Sequence, residues 1–140
     1  MTYRQLKDKQ SKEVHNFPLA FAFNDEQLEK GMRKLGLNPS QLDQISAIGG
    51  GGFIRASDVP AWQQMAQRHQ IEMQAGIQQD LTGDGFIFQM FYAELANHEY
   101  GYSGDPTDAL NALGLTYQQV TSNPRLAHGF QKACDRFVIS

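Results

Sequence analysis

Apolar residues recur along the chain with two different periods. Tyr3, Leu6, Gln10 and Val14 line one side of a predicted helix over residues 2–14, with Thr2 placed to cap it. Phe17-Pro18-Leu19-Ala20-Phe21-Ala22-Phe23 then alternates large and small apolar residues, which predicts a strand over 19–23 with one well-packed face. With the Phe21 ring on that face, its truncation to Ala would cost about 3–5 kcal/mol. Asn24 is placed to cap a following helix, with Gln27 as its capping-box partner and Leu28, Met32 and Leu35 as its apolar stripe. Gly36 marks the stop. Asn38-Pro39-Ser40 predicts another short helix, carrying Leu42, Ile45 and Ile48, which ends at Gly49-Gly50-Gly51-Gly52, read as a flexible connector. Phe53-Ile54-Arg55 reads as a second strand, paired antiparallel with the first.

Downstream the pattern is helical throughout. Ser57 or Asp58 is placed to cap the longest helix, where Trp62, Met65, Ala66, His69, Met73 and Ile77 recur at spacings of three and four. After Thr82-Gly83-Asp84-Gly85, residues 86–96 are apolar on nearly every side, which predicts a central, buried helix. Residues 106–113, 116–122 and 124–137 predict three short helices jointed at Gly114 and at Asn123-Pro124. Leu35-Gly36-Leu37 followed by Gln41-Leu42 is echoed by Leu113-Gly114-Leu115 followed by Gln119-Val120. Neither echo carries a basic residue on its second limb, so neither is a DNA-reading helix-turn-helix. The pattern predicts an α+β fold: a mostly helical single domain over residues 1–140 with a small two-stranded antiparallel β element.

Composition bounds this picture without redirecting it. With 140 residues, 41% hydrophobic and 19% charged, the chain can bury one sizeable core. It has no run of about 18 apolar residues to span a membrane, and no apolar stretch of a secretory signal follows its first residues, so a cytoplasmic location is expected. The lone Cys134 excludes an internal disulfide and reads as a buried structural thiol. Charge is uneven. Residues 1–68 hold nine Lys/Arg against seven Asp/Glu, whereas residues 69–124 hold seven acidic residues and no Lys or Arg. Phosphate contacts need Lys or Arg, so nucleic acid is an unlikely partner for that central segment.

Four patterns could carry chemistry. The glycine run lacks the Lys and Ser/Thr of a phosphate loop, and no cofactor is expected. Asp80-Leu81-Thr82-Gly83-Asp84-Gly85-Phe86-Ile87 imitates the start of a calcium loop, but the twelfth position is Phe91 where a bidentate Glu is required. The expected reading is a turn in which Asp84 caps the next helix, and no metal is expected there. Glu94 and His98 stand four apart on one helical face, with Glu99 beside them, and are the candidate catalytic residues for acid–base or metal chemistry. The competing reading has the His98 ring bonded to Glu94 or to a nearby carbonyl. His15, His69 and His128 show no mutual ligand spacing, and His69 reads as a satisfied core histidine. Tyr100 and Tyr102, with Asp105 and Asp108 close behind, are candidates for an interaction surface.

Two stretches also carry a resemblance. Ala20-Phe21-Ala22-Phe23-Asn24-Asp25-Glu26-Gln27 leading to Gly31-Met32-Arg33-Lys34-Leu35-Gly36-Leu37 is one. Glu94-Leu95-Ala96-Asn97-His98-Glu99-Tyr100-Gly101-Tyr102, with Asp108-Ala109-Leu110-Asn111-Ala112-Leu113-Gly114-Leu115 after it, is the other. Together they resemble a family of uncharacterised short proteins encoded by bacteria, their phages and other mobile elements. The likeness runs from Thr2 to about Cys134. It implies a bacterial or phage context and an accessory role, and supplies no catalytic residue. The expected function is protein–protein interaction with a protein partner and no membrane. The alternative is a metal-binding protein or small hydrolase using Glu94, His98 and Glu99. A weaker third class is nucleic-acid binding through Arg4, Lys7, Lys9 and Lys12 of the first helix.

Overall fold

Side chains at the segment ends decide where the helices begin. In the computed structural model, which describes residues 1–137, Thr2 caps α1 (Tyr3–His15) in a reciprocal box. Its hydroxyl accepts from the Gln5 amide at 3.1 Å, and the Gln5 side-chain oxygen accepts from the Thr2 amide at 2.9 Å. After β1 (Ala20–Phe21), Asn24 caps α2 (Asp25–Lys34) by accepting from the Gln27 amide at 2.9 Å. The Gln27 oxygen reaches back one residue beyond the expected partner, to the Phe23 amide at 2.8 Å. α2 stops at Gly36 with the Leu37 amide bonded to the Met32 carbonyl at 2.8 Å, a Schellman closure.

The segment expected to be a further helix is instead a 3-10 turn, Leu42–Gln44, followed by β2 (Ile45–Gly49). Ile45 and Ile48 are β-branched and favour extended backbone. Gly49, Gly50 and Gly51 take φ of 92°, 60° and 81°, a left-handed run closed to most side chains. They therefore form a hairpin turn rather than a loose connector, and fold β2 back along β3 (Gly52–Arg55). The sheet has three strands, one more than predicted, in the order β1-β3-β2 and antiparallel throughout. The predicted pairing of β1 with β3 is present, with Ala20 opposite Phe53 and Phe21 opposite Gly52.

A second 3-10 turn, Ala56–Asp58, leads into α3 (Val59–Gln79). The Asp58 carboxylate is taken by Arg55 Nε at 2.8 Å. Then follow α4 (Phe86–Asn97), the short α5 (Tyr100–Ser103), α6 (Thr107–Ala112), α7 (Tyr117–Ser122) and α8 (Pro124–Cys134). The fold is thus mostly helical α+β. No helix among the described residues is long and apolar enough to cross a membrane.

Contacts divide the chain into two compact units, one of Met1–Asp8 with the residues from Glu72 onward, the other of Lys9–Ile71. In the Lys9–Ile71 unit, α2 lies on β1, and Ala20, Met32, Leu35 and Phe53 form a small core flanked by Ala22, Leu28, Leu37 and Ile45. A Cβ added at Gly31 would stand 2.9 Å from Ala20 Cβ and 2.6 Å from the Phe53 ring, so helix and strand meet with no room for a larger side chain. This fixes the phase of β1 opposite to the expected one. Ala20 faces inward, while Phe21 and Phe23 are 56% and 76% exposed.

In the other unit α4 is central, as its all-round apolarity predicts. Its Ile87, Met90, Phe91 and Leu95 pack with Tyr3 and Leu6 of α1 and with Leu110, Val120, Leu126 and Phe130. Gly129 of α8 sits against Ile87 and the Gly83 carbonyl. Arg125 Nη1 donates to the Ile77, Gln78 and Asp80 carbonyls at 3.0–3.3 Å, closing the C-terminus of α3 with a cation.

Candidate functional site

Glu94 and His98 lie one turn apart on α4, and α1 supplies what the sequence could not place beside them. The Tyr3 hydroxyl donates to Glu94 Oε1 at 3.0 Å, and the Tyr3 amide donates to the Gln89 side-chain oxygen at 3.1 Å. Burial, then the Glu94 charge and the hydrogen bond to it, push the Tyr3 phenol well above its ordinary range, so it stays a donor at physiological pH. Only 12% of the Glu94 side chain is exposed. Beside this pair is a cleft of about 460 Å³ lined by Tyr3, Arg4 and Lys7 of α1 and by Gln89, Glu94 and Asn97 of α4.

His98 is not among the residues lining the cleft. Its Nδ1 lies 3.0 Å from the Glu94 carbonyl oxygen and 3.8 Å from Glu94 Oε2. A carbonyl only accepts, so Nδ1 carries the hydrogen and the ring serves to close the last turn of α4. Glu99, the third candidate, is exposed and takes φ of 56° as it leads into α5. The three residues therefore do not gather as a set of metal ligands, although His98 and the Glu94 carboxylate stand 3.8 Å apart. Tyr3 and Gln89 are the bonded partners that sequence reasoning missed, and Arg4 and Asn97 share the cleft with them. Tyr3 stands 91 positions from Glu94, and its place on the apolar stripe of α1 was the one available signal.

The interaction candidates separate as well. Tyr102 is 90% exposed. Tyr100 is half-buried, edge-on to Phe137 at 5.5 Å. A hydrogen bond to Cys134, and then burial, push the Tyr100 phenol up to about 12. Burial raises the Cys134 thiol, which stays protonated at neutral pH, in keeping with a structural role for this half-buried cysteine. Asp105 accepts from the Thr107 amide at 2.9 Å and from its hydroxyl at 2.6 Å, so this carboxylate caps a turn. Asp108 is exposed in the first turn of α6.

The calcium-like loop has put its first ligand to another use. Asp80 Oδ1 accepts from the Gly83 amide at 3.0 Å, and Oδ2 accepts from the Gly85 and Ile87 amides at 3.1 and 2.9 Å. It is Asp80, not Asp84, that closes the start of α4. Burial would raise the Asp80 carboxyl, but the hydrogen bonds from Ile87, Gly83, Gly85 and Thr82 together outweigh it and hold the group below the usual carboxylate range. Asp84 instead meets His128 Nε2 at 2.7 Å and Lys132 Nζ at 3.2 Å, and these bonds lower its carboxyl too. In the Lys9–Ile71 unit, His69 departs from the satisfied core histidine expected. Its buried Nε2 makes no hydrogen bond and faces Glu13 Oε2 at 3.7 Å. That carboxylate is paired with Arg68, whose hydrogen bond is the main cause of its lowered pKa, and with Lys9 at 3.7 Å.

The model of a family of unknown function, DUF7659, matches residues 2–136, nearly the whole chain. No curated protein and no solved structure matches it.

Proposed function

We propose that this chain, which belongs to the DUF7659 family, acts by binding rather than by catalysis, as an accessory protein that engages another protein. The observation that carries the reading is the cleft between α1 and α4. One wall presents the Glu94 carboxylate and the other presents Arg4 and Lys7. Such a site takes a segment bearing both a hydrogen-bond-donating or cationic group, for Glu94, and a carboxylate, for the two cations. Glu94 is pre-oriented by Tyr3, which lowers the ordering cost of binding. The imidazole the sequence offered for acid–base work does not line the cleft, and the His98 ring is spent on a backbone carbonyl. Of the two aromatic interaction candidates, Tyr102 is the more exposed ring. The phage or mobile-element setting rests on the resemblance and belongs to the proposal.

Calorimetric titration with short peptides tests this. A peptide carrying alternating Lys and Asp should bind, all-Lys and all-Asp peptides should bind more weakly, and Lys7→Glu should abolish the difference. The hydrolase or metal-binding alternative predicts something else. Turnover of a chromogenic ester or phosphate lost in Glu94→Gln, or a stoichiometric metal lost in His98→Ala, would overturn the binding reading.

A further inference from the structure

Among the described residues, two buried side-chain atoms make no hydrogen bond, Glu13 Oε1 on α1 and His69 Nε2 on α3. A buried polar atom left unmet costs free energy, so two of them side by side need a cause. The His69 side chain is only 14% exposed, and its Nε2 faces Glu13 Oε2 at 3.7 Å. That is too far for a hydrogen bond. It is close to the separation of about 3.4 Å between two donors on one tetrahedral zinc with bonds of about 2.0–2.1 Å.

A third donor joins them. Glu72 follows His69 by three residues in the unbroken helix α3, so helix geometry alone turns both to one face. One donor atom from each of Glu13, His69 and Glu72 lies within 4.8 Å of the other two. Carboxylates only accept, and an imidazole with its hydrogen on Nδ1 presents Nε2 as an acceptor too. Three acceptors brought together call for a positive centre, since a water molecule has only two hydrogens to give. The imidazole nitrogen selects the class of cation. Calcium and magnesium take oxygen donors, whereas zinc and its neighbours take nitrogen together with carboxylate.

The neighbouring cations set the strength of such a site. Arg68 bonds Glu13 Oε2 and is the main cause of the lowered Glu13 pKa, so the carboxylate is ionised at neutral pH. Oε1 is then the ligand, and Arg68 the partner that orients it. Lys9 Nζ stands 3.7 Å from Oε1, beyond hydrogen-bond range, and with Arg68 it opposes a further cation. Micromolar rather than nanomolar affinity follows. The Glu13 side chain is 25% exposed, which gives an ion its way in.

We propose that Glu13, His69 and Glu72 bind a divalent transition-metal cation of the zinc class, with water completing its shell. The site shares no residue with the cleft between α1 and α4.

The test strips the full chain with a chelator and titrates it with zinc chloride in a calorimeter. One zinc per chain with a Kd below about 10 μM is expected. A lost ligand costs at least what a lost orienting partner does, so His69→Gln and Glu72→Gln should each weaken binding at least about tenfold. Loaded with cobalt instead, the wild type should show a visible absorption band that His69→Gln alters, which a merely structural histidine would not do. Asp84→Asn and His98→Ala, at the other carboxylate–imidazole pairs, should leave zinc affinity unchanged. No binding heat up to about 100 μM zinc would overturn the inference. So would loss of binding in Asp84→Asn or His98→Ala rather than in His69→Gln. Equal binding of calcium would also overturn it, because the nitrogen would then have no part in the site.

Discussion

In the unit built around α4, Phe86, Phe91 and Phe130 are buried, and Phe91 meets Phe130 edge-on at 5.3 Å. In the Lys9–Ile71 unit Phe53 is buried, whereas Phe21 and Phe23 are turned out. The two units use similar residues under different packing distances. Between helices α4 and α8 there is space for rings, and small residues such as Gly129 let the helices close around them. At Gly31, α2 meets the Phe53 ring of β3 and the Ala20 methyl of β1, and these two side chains fill the space beside the glycine. A phenyl ring is hydrophobic in both places, but it is a core residue only where the partner element stands far enough away.

The largest effect expected follows from this contrast. Phe91→Ala removes a ring that is 1% exposed, and should cost about 3–5 kcal/mol in urea denaturation. A cost below about 1 kcal/mol would mean that the helical unit is no more tightly filled than the β-containing one.

Gly31→Ala probes the other side of the comparison. Its methyl group would overlap both the Phe53 ring and Ala20 Cβ. Overpacking of this kind should cost about 2 kcal/mol, although Ala is the better helix former. A stabilised Gly31→Ala variant would show that α2 and β1 can move apart, and the reason given for the exposed rings would fail with it.

Much of the fold was legible because it is local. The caps at Thr2 and Asn24 and the glycine stops at Gly36 and Gly114 are decided within a few residues of chain, and each stands where its residues predict. The echo between them persists further than expected. Gln41 bonds the Asn38 amide, and Gln119 the Thr116 amide, both at 2.8 Å. After that the copies part. Val120 goes on as helix, whereas Ile45 to Gly49 extend because the glycine hairpin offers them β3 as a partner. Leu42, Ile45 and Ile48 fit a helical spacing, and that spacing concealed the strand. The phase of β1 was illegible for a different reason. Alternation is symmetric between its two faces, and Gly31, ten residues away, decides between them. At the site, the α4 spacing of Glu94 and His98 was readable, but Tyr3, 91 residues earlier, was not.

Asp80 offers a smaller and pH-dependent test within the helical unit. Asp80→Asn keeps the size of the side chain but loses the charge that receives the Gly83, Gly85 and Ile87 amides, and should cost about 1–2 kcal/mol at pH 7. Its carboxyl is lowered in the folded chain, so its contribution is present above the unfolded value near pH 4 and is lost as pH falls through the folded value. The stability gap between wild type and Asp80→Asn should therefore close on acidification below about pH 4. A gap independent of pH would remove the charge from the explanation. Since both Asp80 oxygens are already committed to main-chain amides, calcium titrated into the wild type should give no binding heat at concentrations up to about 10⁻⁵ M.

The smallest effect belongs to Phe21, where the first reading of the strand expected about 3–5 kcal/mol for a buried ring. With 56% of the residue exposed, truncation forfeits less than half of the transfer free energy of a phenyl group. Beneath the ring lies Gly52, and removing the ring uncovers main chain that water can reach, so no closed cavity forms. Phe21→Ala should therefore cost about 1 kcal/mol, against at least three times that for Phe91→Ala. The pairing of Phe21 with Gly52 should survive the change, because it is made by backbone groups and by Ala20 on the inner face. Equal costs at the two positions would abolish the distinction between the units. A negligible cost at Phe21 would leave the ring without a structural reason to be there.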